Sequence, residues 1–284
     1  MGGRACHWAF WEYIITVVLL MSSDRMSRLR IVTFNIAHGR GLMPISGLTT
    51  RRRIEARLKK IAHLIKRLEP DIVALQEIDE NSRWAGSFDH LEFLREHAGF
   101  PHAIFGVNNR HNGRLHLNYG NALLSRHPIL GWETVTFGQR RIGEKGFLFA
   151  EIDIHGRRVP VVNLHLHFGA RERRFIQLRL LTDYLKEKQR HRHVHWHMPP
   201  ILCGDLNNPS HIPDATASLL TYFSSHGHYT LHPRAGVRTF PSLWPSRTLD
   251  FVFLPPRCVE PRCKVIRTLL SDHCPVLVEF ALGN

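Results

Sequence analysis

The feature that most constrains this chain is a series of short apolar runs, each closed by polar side chains. Leu29 to Phe34 ends at Asn35, Ile72-Val73-Ala74-Leu75 ends at Gln76-Glu77, and Val159 to Leu166 carries Asn163 and His165 near its end. Ile201-Leu202-Cys203-Gly204 stops at Asp205, with Asn207 two residues on. Runs this short, bounded by turn formers, read as buried strands and not as helices. Residues two apart on an extended chain leave the same face, so Asp205 and Asn207 share one. Asp250 lies inside the apolar run Leu249 to Leu254, where a charge is costly without a partner. Asn121 precedes the run Ala122 to Ser125, and Asp272-His273 precedes a closing strand over Pro275 to Phe280. Each residue alone has an ordinary reading as a turn, a cap or a satisfied core polar group. Their recurrence does not, because strand ends in a layered fold converge on one edge.

Helices alternate with these runs. Ile54, Leu58, Ile61, Ile65 and Leu68 recur at three- and four-residue spacing, predicting a helix over 51–68 with a basic outer face, stopped at Glu69-Pro70. Phe175, Leu178, Leu181 and Leu185 predict another over 171–188, and shorter helices are expected over 88–97 and 214–226. Strands over 102–107, 131–137 and 146–154 fit antiparallel hairpins. A glycine-rich loop with His38, Gly39, Gly41 and Gly47 follows the first strand. No composition break divides the chain, so one domain is expected over 27–284.

Residues 1–26 read as an N-terminal extension. Trp8 to Met21 is mostly apolar behind Arg4, like the core of an export signal, but Glu12 interrupts it and no small-x-small cleavage site follows. It is also short for a membrane span, which needs about 20 apolar residues. The odd set of five cysteines, with Cys203 and Cys274 in apolar runs, suggests small core residues in a reducing compartment. A cytoplasmic protein is expected, membrane-associated or exported if residues 8–21 are a targeting segment. The balance of 38 Lys+Arg against 24 Asp+Glu, +14 at pH 7, favours polyanionic partners such as nucleic acid or an anionic lipid surface. His191, His193, His195 and His197 alternate and could line one face of an extended metal-binding segment, but a solvated polar loop accounts for them better.

The ordered set Thr33-Phe34-Asn35, Leu75-Gln76-Glu77, Tyr119-Gly120-Asn121, Asn163-Leu164-His165-Leu166, Gly204-Asp205-Leu206-Asn207, Leu249-Asp250-Phe251 and Ser271-Asp272-His273 resembles the endonuclease/exonuclease/phosphatase superfamily of DNase I-like enzymes. The resemblance spans nearly the whole chain and implies an α/β four-layer αββα sandwich, two facing mixed β-sheets flanked by helices, with the active site at one sheet edge. It also implies a divalent-metal-dependent phosphoesterase that hydrolyses a phosphodiester by in-line attack of an activated water, as a monomer. Glu77, with Asn35 and Asp272 acting directly or through water, makes an oxygen-rich site suited to Mg²⁺ or Mn²⁺. Asp205 is the expected base, while Asn207 and Asn121 hold either the phosphate or Asp205. His165 contacts a phosphate oxygen or protonates the leaving group, and His273 acts from the other side, oriented by Asp250.

Three rivals fare less well. A calcineurin-like phosphatase shares a Gly-Asp element but needs Asp-x-His and Gly-Asn-His-Asp/Glu motifs that are missing here. Ser271, Asp272 and His273 are consecutive and cannot converge as a triad. A catalytically inactive basic module binding nucleic acid or lipid would lack catalytic groups, whereas every expected position is filled. For substrate, Arg51 to Arg53, Arg83-Trp84, Arg110 to His116 and Arg140-Arg141 suit a nucleic-acid backbone, a phospholipid or an inositol phosphate head group alike. Thr239-Phe240-Pro241 and Arg173-Arg174-x-x-Gln177 resemble compact bacterial members of the superfamily grouped near sphingomyelinase-type phosphodiesterases.

Overall fold

A computed structural model describes residues 28–45, 47–111, 113, 116–138, 143–190, 196, 198–208 and 214–283. The twelve strands are β1 (Arg28–Asn35), β2 (Ile72–Asp79), β3 (His102–His111), β4 (Leu117–Ser125), β5 (Ile129–Thr136), β6 (Gly146–Ile154), β7 (Arg157–His165), β8 (Ile201–Asp205), β9 (Thr230–His232), β10 (Asp250–Leu254), β11 (Cys258–Val265) and β12 (Val276–Leu282). The helices are α1 (Arg51–Leu68), α2 (His90–Ala98), α3 (Arg171–Arg190) and α4 (Ala215–Phe223). One sheet runs β11-β12-β1-β2-β4-β3 and the other β5-β6-β7-β8-β10-β9. Both are mixed: β1 pairs parallel with β2 and β7 with β8, amid antiparallel neighbours.

Period-two alternation builds the layers. On β1, Leu29 and Ile31 face the other sheet while Val32 and Phe34 join α1 and α2 in an outer core. On β7 and β8, Val159, Val161, Ile201 and Cys203 point between the sheets, and Val162, Leu164 and Leu202 pack under α3 and α4. The result is the αββα sandwich expected. Each fully buried Leu, Ile or Phe contributes about 1.5–3 kcal/mol, enough across three clusters to fix the strand register.

The same alternation carries the site. Toward one end of the intersheet layer the inward positions turn polar: Thr33 and Asn35 on β1, Gln76 on β2, Asn163 and His165 on β7, Asp205 on β8 and Asp250 on β10. Gln76 Nε2 donates to Asn163 Oδ1 at 2.7 Å across the gap, and Asn163 Nδ2 donates back to the Leu75 and Ala122 carbonyls at 2.8 and 2.9 Å. These amide bonds tie the two sheets together across the gap and leave only Gln76 Oε1 of the pair without a partner.

Several elements differ from the sequence reading. Asn121 lies inside β4, not before it, because the strand extends back through Gly120 and Asn118 to Leu117. β3 runs on through Arg110 and His111, which had read as loop. β11 was missed because its exposed Glu260, Arg262 and Lys264 conceal the pattern, as charges on an edge strand do. Cys203 and Cys274 are buried and free, as expected. The N-terminal extension over 1–26, Arg114, Arg140-Arg141 and the histidines at 191, 193, 195 and 197 lie outside the described residues. Among the described residues, no helix is long and apolar enough to cross a membrane.

Candidate active site

Four strands deliver the central group. Asp205, at the end of β8, accepts a hydrogen bond from Asn35 Nδ2 at 3.0 Å and from the Asn207 backbone N–H at 2.9 Å. The first bond links the two sheets, since Asn35 ends β1. Asn207 adopts φ +49° and anchors its own amide on the Leu166 carbonyl at 3.0 Å. His273 Nδ1–H donates to the Asp250 carboxylate at 2.9 and 3.1 Å, leaving Nε2 3.7 Å from Asp205 Oδ2. His165 Nε2 approaches the same oxygen at 3.5 Å, is buried, and has no hydrogen-bond partner. Such an orphaned nitrogen at a strand end calls for a polar ligand.

Glu77 stands on the other flank. A bulge between Gln76 and Ile78, with Glu77 at φ +51°, hands the helix-facing position to Ile78 and turns the carboxylate toward the site. There Lys145 Nζ contacts Glu77 Oε1 at 3.1 Å and His38 Nε2 lies 3.5 Å from Oε2. His38 is bound through Nδ1 to Asp79 at 2.7 Å, and Trp84 donates to the other Asp79 oxygen at 2.8 Å. Asp272 pairs with Arg40 at 2.8 Å.

Electrostatics separate these groups. Burial pushes the Asp205 carboxyl up, with Asp250 adding to it against His273, Asn35 and the Asn207 N–H, to about 7. Burial opposes charge on His273, but Asp250 and Asp205 outweigh it and push that imidazole up to about 10. Burial together with Lys145 holds His165 well below the ordinary imidazole value, so it is neutral. Burial also works against Glu77, yet Lys145, His38 and His165 keep its carboxyl well below the usual range and therefore ionised. One edge thus combines a carboxylate titrating near neutrality, an imidazolium, a neutral imidazole and a fixed anion.

A model of the endonuclease/exonuclease/phosphatase family matches residues 32–273. The chain belongs to that family. Its members are hydrolases acting on phosphoesters. Among curated proteins, Escherichia coli YbhP is 28% identical over 244 residues, covering 79% of this chain and 88% of that one. A Beutenbergia cavernae endonuclease/exonuclease/phosphatase structure is similar at a TM-score of 0.66 and 23% identity, over 90% of this chain and 72% of the other. Sphingomyelinase C from Streptomyces griseocarneus gives a TM-score of 0.64 at 21% identity, over 91% and 100%. These likenesses establish the fold of this family member.

Of the residues expected at the site, Asn35, Glu77, His165, Asp205, Asn207, Asp250, Asp272 and His273 all reach this edge. Asn121 does not. It is fully buried, and its Nδ2 donates to the Gly146 and Asn163 carbonyls at 3.1 and 3.2 Å, joining the sheets beneath the site. Asn35 is committed to Asp205 and, through Oδ1, to the Ala37 N–H at 3.0 Å, so it positions the Asp205 carboxylate. Lys145, Arg40 and the His38–Asp79 pair were not anticipated. The only signals were His38 in the glycine-rich loop and Asp79 two residues beyond Glu77.

Family members generally use a divalent metal. By donor type Glu77 and Asp272 fit a hard divalent cation, each carboxylate already facing a positive group in Lys145 or Arg40. Asp205, Asp250 and His273 also bring ligand atoms within 4.8 Å of one another. Within that trio Asp205 accepts from Asn35 and the Asn207 N–H and Asp250 faces His273 Nδ1, so a cation there would compete with bonds already made.

Proposed function

We propose that this family member hydrolyses a phosphodiester by in-line attack of a water deprotonated by Asp205. The observation that carries the reading is the cross-sheet mounting of Asp205: Asn35 and the Asn207 N–H fix its oxygens, and His165 and His273 flank it. Two donors leave the carboxylate one orientation, which a general base requires. Its elevated proton affinity, near neutrality, matches it to water activation at pH 7. His273, an imidazolium locked by Asp250, stabilises the charge that develops on the phosphoryl oxygens. His165 is neutral and suits a hydrogen bond to a phosphoryl oxygen better than protonation of a leaving group. Asn207, bound to Leu166, keeps its backbone N–H on Asp205.

Glu77 and Asp272 would hold Mg²⁺ or Mn²⁺, whose chemistry when bound is to neutralise phosphate and leaving-group oxygens. The sphingomyelinase similarity and the basic balance support a phosphate-ester substrate drawn from lipid head groups or nucleic acid. The protein with Mg²⁺ is expected to turn over bis(p-nitrophenyl) phosphate, and EDTA to abolish turnover until Mg²⁺ is restored. A panel of supercoiled plasmid, abasic duplex, RNA, sphingomyelin and phosphatidylinositol phosphates then names the substrate. Turnover unaffected by EDTA would contradict the metal assignment.

A further inference from the structure

We infer that the rim of this site docks on an anionic phospholipid bilayer, so that the phosphodiester reaches Asp205 from a membrane head group. The inference rests on the phosphodiesterase reading and specifies its substrate class. Trp244 and Phe168, 79% and 73% exposed, are the two most exposed large apolar side chains among the described residues. Both sit on loops fastened to the site. Leu243 and Trp244 follow Ser242, whose N–H and Oγ donate to the carbonyls of Asp272 and Ser271 at 2.7 and 2.6 Å. Phe168 stacks on His167 at 5.3 Å, two residues beyond the Leu166 carbonyl that anchors Asn207. A third loop, after β1, exposes Ile45 and Leu48 by 60% and 62%. Arg40 ties it in, bonding both the Met43 carbonyl and Asp272.

Single exposed apolar residues are ordinary. Ile176 on α3 and Leu130 and Trp132 on β5 are such cases. Trp244, Phe168 and the pair Ile45 and Leu48 instead lie on loops from distant parts of the chain, each tied by hydrogen bonds to residues of the one site, a placement suited to meeting an apolar phase. The aliphatic Ile45, Leu48 and Leu243 have no charge to match on a phosphodiester backbone and stack on bases less well than flat rings do, whereas acyl chains accept them directly. An indole suits the boundary between head groups and acyl chains. Charge is complementary as well: the chain carries +14, and Arg238 and Arg247 lie on the same loop as Trp244. Basic residues near an anionic leaflet add attraction that salt weakens.

The test uses the full chain and vesicles of phosphatidylcholine with phosphatidylserine, measuring the bound fraction by sedimentation. Replacing Trp244 and Phe168 together by Ser is expected to weaken partitioning about tenfold or more while leaving the melting temperature unchanged. Pure phosphatidylcholine vesicles should bind the parent more weakly, and added salt should narrow that difference. Turnover of bis(p-nitrophenyl) phosphate, a soluble diester, should be the same in parent and variant. Equal vesicle binding by the double variant, or no binding by the parent, overturns the proposal while leaving the soluble activity to stand. Binding to duplex DNA that depends on Trp244 and Phe168, with none to vesicles, also overturns it. A parent that binds vesicles through these residues but never cleaves the soluble diester keeps the surface and defeats the phosphodiesterase reading.

Discussion

At the scale of the residue, the site works through unequal proton affinities on neighbouring groups. Asp205 and His273 are 3.7 Å apart at nearest atoms; burial with Asp250 pushes the Asp205 carboxyl up to about 7, while His273, against burial, is pushed up by Asp250 and Asp205 to about 10. Turnover should therefore rise with pH as Asp205 deprotonates near 7 and fall as His273 loses its proton near 10. The rate of the soluble diester between pH 5 and 11 checks this, and a profile flat across about 7 would remove Asp205 as the base. Stability carries the same signature. Because His273 is raised above its usual 6.5, its contribution is fully present below that value and is lost as pH rises through about 10. Thermal melts of the parent should lose stability over that window, and a His273→Gln variant should be flatter. Part of this was legible in the sequence: an acid buried in the apolar run Leu249 to Leu254 needed a partner, and His273 is that partner. Lys145 was not legible. Its partner Glu77 lies 68 residues away on the other sheet, and no local pattern reports such a pairing.

Backbone geometry at the scale of the element decides where these side chains point. Gly204, at φ +142°, brings β8 so close to β7 that an added Cβ would lie 1.8 Å from the Leu164 carbonyl oxygen. Gly204→Ala should destabilise the fold by about 4 kcal/mol or more, since both the clash and the conformation oppose it. Urea denaturation measures this, and a loss under about 1 kcal/mol would show that the strand relaxes freely. Glu77 depends on its bulge in the same way. The sequence placed an acid at a strand end, but strict alternation would have aimed residue 77 at the helices; a left-handed residue and a register shift correct it. Strands with apolar cores and polar ends were readable from their pattern. β11 and the N-terminal half of β4 were not, because an exposed edge and a polar Asn-Tyr-Gly-Asn stretch conceal the period of two.

At the scale of the whole molecule, the two sheets are a device for bringing inward-facing strand ends together. The sandwich was legible through the family resemblance that the ordered motifs carry; the apolar runs ending in polar residues were compatible with it without fixing it. The polar layer of Gln76, Asn121 and Asn163 beneath the site was not legible, because its hydrogen bonds exist only once the sheets face one another. Asp205 belongs to one sheet and its anchor Asn35 to the other, so the proposed base and the fold are joined at a single bond of 3.0 Å. The central claim is that this carboxylate activates the attacking water. It is tested most directly by steady-state turnover of bis(p-nitrophenyl) phosphate in saturating Mg²⁺ by the parent and by Asp205→Asn, with melting temperatures measured alongside. Asparagine can accept from Asn35 or from the Asn207 N–H but not from both, so the variant should stay folded with a melting temperature lowered by a few degrees at about 1 kcal/mol for the lost bond, while kcat falls about 10²- to 10⁴-fold. An Asp205→Asn variant that is folded and as active as the parent would contradict the account.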